Sequence, residues 1–158
     1  MAVDPKQVTE AFWDALYARD WDRMKTFFDE DSIYYDVPTT PSSAAKGPEN
    51  IVRRLHYGLG NLASYVHAPG RRTVIAEGDV VMTEHTELWT FKTGEKVALP
   101  FVSVQHLRGE VIALWRDYWD LGVLATAPKG WQEELAAGDL SWVYDATRDM
   151  AEFDGRPL

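Results

Sequence analysis

From Asp4 to Arg19, apolar residues return at helical spacing, and Val8, Ala11, Phe12, Ala15 and Leu16 fall on one face. Asp4 followed by Pro5 is a start signal: a capping oxygen, then proline at the first helical position. Asp20-Trp21-Asp22 restarts a second, short helix carrying Met24, Phe27 and Phe28. Both helices read as amphipathic covers for a sheet, with their aromatics as core. Ser32 to Val37 reads as a short strand, halted by Pro38 and the Thr39-Thr40-Pro41-Ser42-Ser43 loop. Gly47-Pro48-Glu49 opens a helix through about Leu59, with Ile51, Val52 and Leu55 inward and Gly58 and Gly60 at its end.

Past that helix the pattern alternates, as strands do. Arg71 to Ala76 is one strand, beginning nearer Tyr65 if a break falls at Pro69-Gly70. Val80 to Phe91, Lys96 to Leu107 and Val111 to Asp120 follow. Glycine turns at Gly78, Gly94 and Gly109 separate them, so the strands run antiparallel. Pro100 is expected at a bulge or an edge. After Leu121 the composition changes, and Lys129 to Ala137 and Leu140 to Phe153 read as two helices. They carry Trp131, Leu135, Trp142, Val143 and Met150, and either cap a pocket or extend a subunit contact.

The length, 158 residues, fits one domain spanning 1–158, with 128–154 as a helical C-terminal extension. Seven Trp, seven Tyr and six Phe point to an aromatic core, an aromatic-lined pocket, or both. A formal charge of −9 with no Lys/Arg cluster argues against nucleic acid and anionic membranes as partners. The absence of cysteine excludes disulfide and thiolate chemistry. Met1 to Val8 lacks the apolar run of a signal peptide, and no stretch approaches the ~20 residues of a membrane span. A cytoplasmic protein is expected. No phosphate-cradling glycine loop or nucleophile elbow is present.

The chemistry concentrates on three strands. On Val111 to Asp120, alternation puts Ala113, Trp115, Asp117 and Trp119 on one side, so a carboxylate sits between two indoles on a buried face. Asp117 must then be paired, hydrogen-bonded or protonated. It serves either acid/base work or a bond to an indole or amide N–H. On Val80 to Phe91, Val81, Thr83, His85, Glu87 and Trp89 share a face opposite Met82, Glu84, Thr86 and Leu88. The pattern leaves open which of these faces points inward. If the first does, His85 and Glu87 stand about 7 Å apart and can bracket a small substrate. Tyr34 and Asp36 also share a face, either orienting a water or forming a surface pair. His56 and His67 stand isolated in the sequence and read as solvent or structural residues. Trp89, Trp115 and Trp119 offer an apolar surface for an aromatic or terpenoid-sized molecule.

Helix, helix, short strand, helix and four antiparallel strands is an α+β order that folds as a curved sheet around helices. From about Pro5 to Leu121 the chain resembles the nuclear-transport-factor-two-like cone superfamily. Within it, the resemblance is to the limonene epoxide hydrolase and SnoaL-like cyclase branch. It rests on Trp115-Arg116-Asp117-Tyr118-Trp119-Asp120-Leu121, on Tyr34-Tyr35-Asp36-Val37-Pro38 and on Thr83-Glu84-His85-Thr86-Glu87.

The resemblance implies a cone, a cystatin-like α+β barrel whose N-terminal helices close a pocket. It implies Asp117 as the base that activates a water, Tyr34 and Asp36 as its holders, and Glu87 as the acid. His85 stands where the family has an arginine bridging two carboxylates, and Asp36 where it has an asparagine. Three carboxyls around one pocket cannot all ionise cheaply, so one is expected to keep its proton, with His85 the nearby cation. Epoxide hydrolysis is the first expectation; elimination, isomerisation, cyclisation or retro-aldol cleavage uses the same pair without water. A mixed metal site of His85, Glu87, Asp117 and Asp36 has only one histidine, and the resembled branch works without metal. No metal or cofactor is therefore expected. The same cone also serves as a carrier or adaptor, a non-catalytic alternative. The implied partners are a small hydrophobic substrate and, through the outer sheet face, a second copy in a homodimer.

Overall fold

A computed structural model describes residues 3–155. The ends of the 1–158 domain, and the first two residues of the expected leaderless N-terminus, lie outside the described residues. Helix α1 (Pro5–Tyr17) starts as its sequence requires, with the Asp4 side chain accepting the Lys6 N–H at 3.0 Å. Helix α2 (Trp21–Lys25) is capped by Asp20, which accepts the Arg23 N–H at 3.1 Å. It stops before Phe27 and Phe28, which are buried all the same. Helix α3 (Pro48–Leu59) opens on Pro48 after Gly47 and buries Ile51, Val52 and Leu55 as expected.

Eight strands among the described residues form one sheet. Strands β1 (Ile33–Asp36) and β2 (Ala44–Lys46) precede α3. Then come β3 (Leu62–His67), β4 (Thr73–Glu77), β5 (Val80–Phe91), β6 (Lys96–Arg108) and β7 (Val111–Trp119). With Val143–Tyr144 as β8, the order is β3-β5-β6-β7-β1-β2-β8, with β4 also on β5. Strand β5 pairs along one edge with β6, and along the other first with β4 and then with β3. The Pro69-Gly70 break falls between these two short partners, so the expected single strand is two. Pro100 keeps register with Thr86 and lies beyond the last β6–β7 partners, Phe101 and Trp119, which makes it an edge position with no bulge.

Three features depart from the sequence expectation. First, β1 joins β7 in parallel, Ile33 opposite Leu114 through Asp36 opposite Asp117. Second, the β6–β7 register slips between His106 and Leu107, so Ile112 rather than Ala113 enters the main core. Third, Leu140 to Phe153 is not one helix. Val143–Tyr144 is a strand, β8, paired with β2, and only Thr147–Phe153 is helical. Asp139 and Asp145 accept the N–H groups of Ser141 and Thr147, each at 2.9 Å, and such local bonds compete with a continuous helix. Helix α4 (Lys129–Ala136) matches its expectation, and a 3₁₀ segment, Leu121–Thr126, precedes it. We label Thr147–Phe153 α5.

The main core lies between α1 and the concave sheet face. Phe12, fully buried, meets Trp13, Phe27, Phe28 and Trp115 edge-on at centroid distances of 4.9, 5.8, 6.0 and 4.8 Å. A smaller cluster of Ile33, Tyr35, Ala44, Leu114, Ala146 and Met150 fixes the C-terminal segment to the other side of β1 and β7. Phe12 thus ties helix to sheet directly beneath the site strands. Phe12→Ala is expected to cost about 3–5 kcal/mol, read as a lower urea midpoint at unchanged slope.

Candidate active site

The cone encloses a cavity of about 510 Å³. Its polar side chains come from five elements: Tyr34 and Asp36 from β1, Arg54 from α3, Glu87 from β5, Asp117 from β7, and Thr39 and Ser43 from the loop after β1. Strand alternation explains the aim of the first group. On β5 the face carrying Val81, Thr83, His85, Glu87 and Trp89 is the buried one. On β7, Trp115, Asp117 and Trp119 share the concave side, and all three line the cavity with Trp89.

Asp117 is 6% exposed. Its Oδ1 accepts the Trp115 indole N–H at 2.5 Å and the Ser103 hydroxyl. Its Oδ2 faces the Tyr34 hydroxyl at 3.4 Å. The bond to an indole N–H therefore exists, and it leaves the second oxygen toward the cavity. Asp36 accepts from Trp119 Nε1 at 2.9 Å and from the Tyr34 hydroxyl at 3.2 Å. Its other oxygen meets Arg54 Nη2 at 2.7 Å. Tyr34 has one proton for two carboxyls, so it donates to one at a time. Its ring lies on Trp115 at 3.7 Å, and the Arg54 guanidinium stands 5.0 Å from the ring centroid. Tyr34 is buried and part of this cluster, which removes the surface-pair alternative.

Arg54 corrects the expectation that His85 is the cation of the site. It is 7% exposed, donates to the Ser43 carbonyl as well as to Asp36, and lies 4.9 Å from the Trp142 ring centroid. Burial opposes its charge, but the adjacent Asp36 more than offsets that, and its pKa rises above the ordinary value.

Glu87 is set apart from this group. Its Oε2 accepts the Trp89 indole N–H at 2.7 Å and its Oε1 the Tyr17 hydroxyl at 3.2 Å. His85 stands behind it and is not among the cavity-lining residues. The ring is enclosed by Trp13 at 4.5 Å and Phe101 at 4.1 Å, with His67 at 5.6 Å. Its Nδ1 lies 3.4 Å from the Tyr17 hydroxyl. His85 therefore does not span two carboxylates as the family's arginine would; Tyr17 stands between it and Glu87. His67 is not isolated but packs on this cluster, and His56 packs on Trp21 at 4.2 Å. Among the described residues, no three His, Cys, Asp or Glu side chains are grouped to hold a metal ion.

Burial dominates the electrostatics. It lifts the Asp117 carboxyl well above the ordinary aspartate range, and the charge of Asp36 lifts it further, against the bonds from Ser103 and Trp115. Burial raises Glu87 to about 7, against the bonds from Trp89 and Tyr17. Burial also lowers His85 to about 3, helped by His67 and Arg72, so this ring is neutral near pH 7.

Sequence reasoning missed Arg54, Tyr17 and Ser103. The signal for Arg54 was its place three residues after Ile51, on the helix's inner stripe. Tyr17 follows Trp13 by four residues in the same way. The rest of the wall is apolar and comes largely from past Trp119: Leu121, Leu124, Trp131, Leu135, Leu140, Trp142 and Val143. Trp13, Trp131 and Trp142 line the cavity, and their indole N–H groups have no partner among the described residues.

The family model of the SnoaL-like domain matches residues 9–115. The fold is shared with an LEH-like epoxide hydrolase of M. tuberculosis, 25% identical, at a TM-score of 0.62 over 83% of this chain and 91% of that one. A protein assigned as a SnoaL-like polyketide cyclase from Shewanella putrefaciens superposes at 0.68, with 18% identity over 85% and 97% of the two chains. One assigned as an isomerase from Bacillus subtilis superposes at 0.61, with 20% identity over 85% and 94%. With well over half of its length matched and the cone fold in common, the chain belongs to the SnoaL-like domain family.

Proposed function

We propose that the cavity performs cofactor-independent acid/base catalysis on a small, largely apolar, oxygenated molecule, with epoxide hydrolysis as the first activity to test. The observation that carries this is the separation of two buried carboxyls in one apolar cavity: Asp117 with Tyr34 and Asp36 in one group, Glu87 in another. With the Tyr34 proton held by Asp36, Asp117 Oδ2 and the Tyr34 hydroxyl oxygen supply two acceptors to a water. Asp117 removes its proton as the water attacks carbon. The breaking C–O bond leaves an alkoxide, which takes the proton of Glu87. Arg54 occupies one oxygen of Asp36, so Asp36 orients Tyr34 rather than competing as base. The indoles of Trp89, Trp115 and Trp119 give the hydrocarbon its surface, and the unpaired indole N–H groups suit an acceptor oxygen on the ligand. The likeness to the M. tuberculosis enzyme favours hydrolysis over the water-free alternative.

The alternative, a lyase, isomerase or cyclase, uses the same two carboxyls with Asp117 abstracting a substrate proton. It is favoured by Asp36 standing where the resembled hydrolases have an asparagine. Labelled water separates the two: hydrolysis places solvent oxygen in the product, and turnover without label promotes the water-free reaction. A carrier is separated by Asp117→Asn. Loss of a general base costs roughly 10²–10⁴ in rate. The variant is expected to lose at least that much turnover while keeping its ligand-induced thermal stabilisation. Equal turnover by both proteins would overturn the catalytic proposal.

The active form has Asp117 ionised and Glu87 protonated. Activity is expected to fall as pH rises through about 7 and Glu87 loses its proton. It falls again on the acid side as Asp117, raised above an ordinary aspartate, takes its proton up. The profile of kcat/KM against pH is therefore a bell whose limbs belong to the coupled group. A flat profile across roughly pH 5 to 9 opposes these roles, since the Glu87 limb lies at about 7.

We further propose a homodimer through the outer sheet face. Ile75 and Met82 are cross-strand partners there and are 60% and 45% exposed. Light scattering is expected to give twice the chain mass for wild type and a monomer for Ile75→Lys/Met82→Lys.

A further inference from the structure

Half-buried Tyr17 and buried His85 stand beside the proposed acid, yet neither lines the cavity and the reaction above uses neither. The Tyr17 hydroxyl lies between the other two groups, 3.2 Å from Glu87 Oε1 and 3.4 Å from His85 Nδ1. A phenol has one proton, so the three groups form a chain with a direction. The direction is set at Glu87. Its Oε2 takes the Trp89 indole N–H at 2.7 Å, and an indole only donates. The acid proton of Glu87 therefore belongs on Oε1, toward Tyr17.

Two arrangements satisfy both contacts of the Tyr17 hydroxyl. With Glu87 protonated, Oε1–H donates to the phenol, the phenol donates to Nδ1, and the imidazole hydrogen is on Nε2. With Glu87 ionised, the phenol donates to Oε1, and Nδ1–H donates to the phenol. Nε2 is then bare. That atom is buried and has no hydrogen-bond partner among the described residues, and the half-buried His67 ring lies beside it.

We propose that Tyr17 and His85 form a proton-transfer chain that recharges Glu87 from the flank of the cone, so that the proton on Glu87 sets the tautomer of His85. After the Oε1–H of Glu87 turns from the phenol and passes to the substrate oxygen, His85 releases its Nε2 hydrogen to solvent and gains one from solvent on Nδ1. That is the tautomer that ionised Glu87 selects. Tyr17 then passes its hydroxyl proton to Oε1. It takes the Nδ1 hydrogen in exchange, and Nε2 takes one proton from the His67 side. On balance one proton enters and no net charge stays on the chain. The remaining groups facing it are Arg72, ahead of β4 and paired with Glu10 at 3.9 Å, and the carboxyls of Asp36 and Asp117. Arg72 and His67 both disfavour an imidazolium, so the ring conducts as a neutral tautomer and does not store the proton. Tyr17 acts through Glu87 and touches no substrate; it is a positioning residue.

The proposal rests on Glu87 as the acid for its purpose, but its test needs no turnover. Nitrogen-15 NMR of the histidines is followed through the titration of Glu87, which is read from its carboxyl carbon-13 signal. In wild type, His85 is expected to be Nε2–H at the acid end and Nδ1–H at the alkaline end, with the midpoint of Glu87. Tyr17→Phe should make the tautomer indifferent to Glu87. It should also raise the Glu87 midpoint by about one pH unit, because the carboxylate loses a donor. Glu87→Gln should abolish the pH-dependent switch in a folded protein, whether or not Tyr17→Phe folds. A His85 tautomer that stays constant while wild-type Glu87 titrates would overturn the proposal. So would one that still follows Glu87 in Tyr17→Phe. Failure of the hydrolase assignment leaves these spectra unchanged, so the two failures are separable.

Discussion

Two carboxylates held side by side in a dry sheet are what the rest of the site answers to. The parallel pairing of β1 with β7 makes Asp36 and Asp117 direct partners, and like charges that close are not both ionised without compensation. Arg54 crosses from α3 to neutralise Asp36, Trp119 and Tyr34 occupy its other oxygen, and Ser103 and Trp115 hold Asp117. Only Asp36 receives a cation. Asp117 and Glu87 receive neutral donors alone, and burial outweighs those donors at both. The result is one ion-paired carboxyl and two whose pKa burial raises, a division that acid/base chemistry needs and that a uniform polar pocket would not produce.

How much of this was legible in the sequence depends on how far apart the interacting residues lie. Alternation on β5 put His85, Glu87 and Trp89 on one face, and the structure buries that face. Alternation on β7 did the same for Trp115, Asp117 and Trp119, because the register slip lies below them at Ile112. The neighbour relations were not legible. The parallel contact of β1 with β7 joins segments some eighty residues apart, and no local pattern encodes it. Arg54 illustrates a different loss. Its position on the inner stripe of α3 was readable, but a charged side chain there is discounted until its carboxylate partner is known. The role expected of His85 failed for a related reason. Its place in the motif was right, but Tyr17 arrives from a separate helix and takes the position between it and Glu87.

The C-terminal extension shows where periodicity misleads. Trp142, Val143 and Tyr144 fall within the helix expected from Leu140 to Phe153, yet Val143 and Tyr144 pair with Ala45 and Ala44, and Trp142 lines the cavity. The segment follows an edge that β2 leaves open, and tertiary pairing overrides the local spacing.

That extension also divides labour along the chain. The carboxyls and their donors come from residues up to Trp119, whereas Leu121, Leu124, Trp131, Leu135, Leu140 and Trp142 supply much of the greasy wall. Reactive machinery is thus written ahead of Asp120, and a share of the molecular fit, added to that of Trp89, Trp115 and Trp119, is written after it. A lineage could splice a new tail after Asp120 and inherit the old proton chemistry intact, which makes this cone a chassis whose diet can change faster than its reaction.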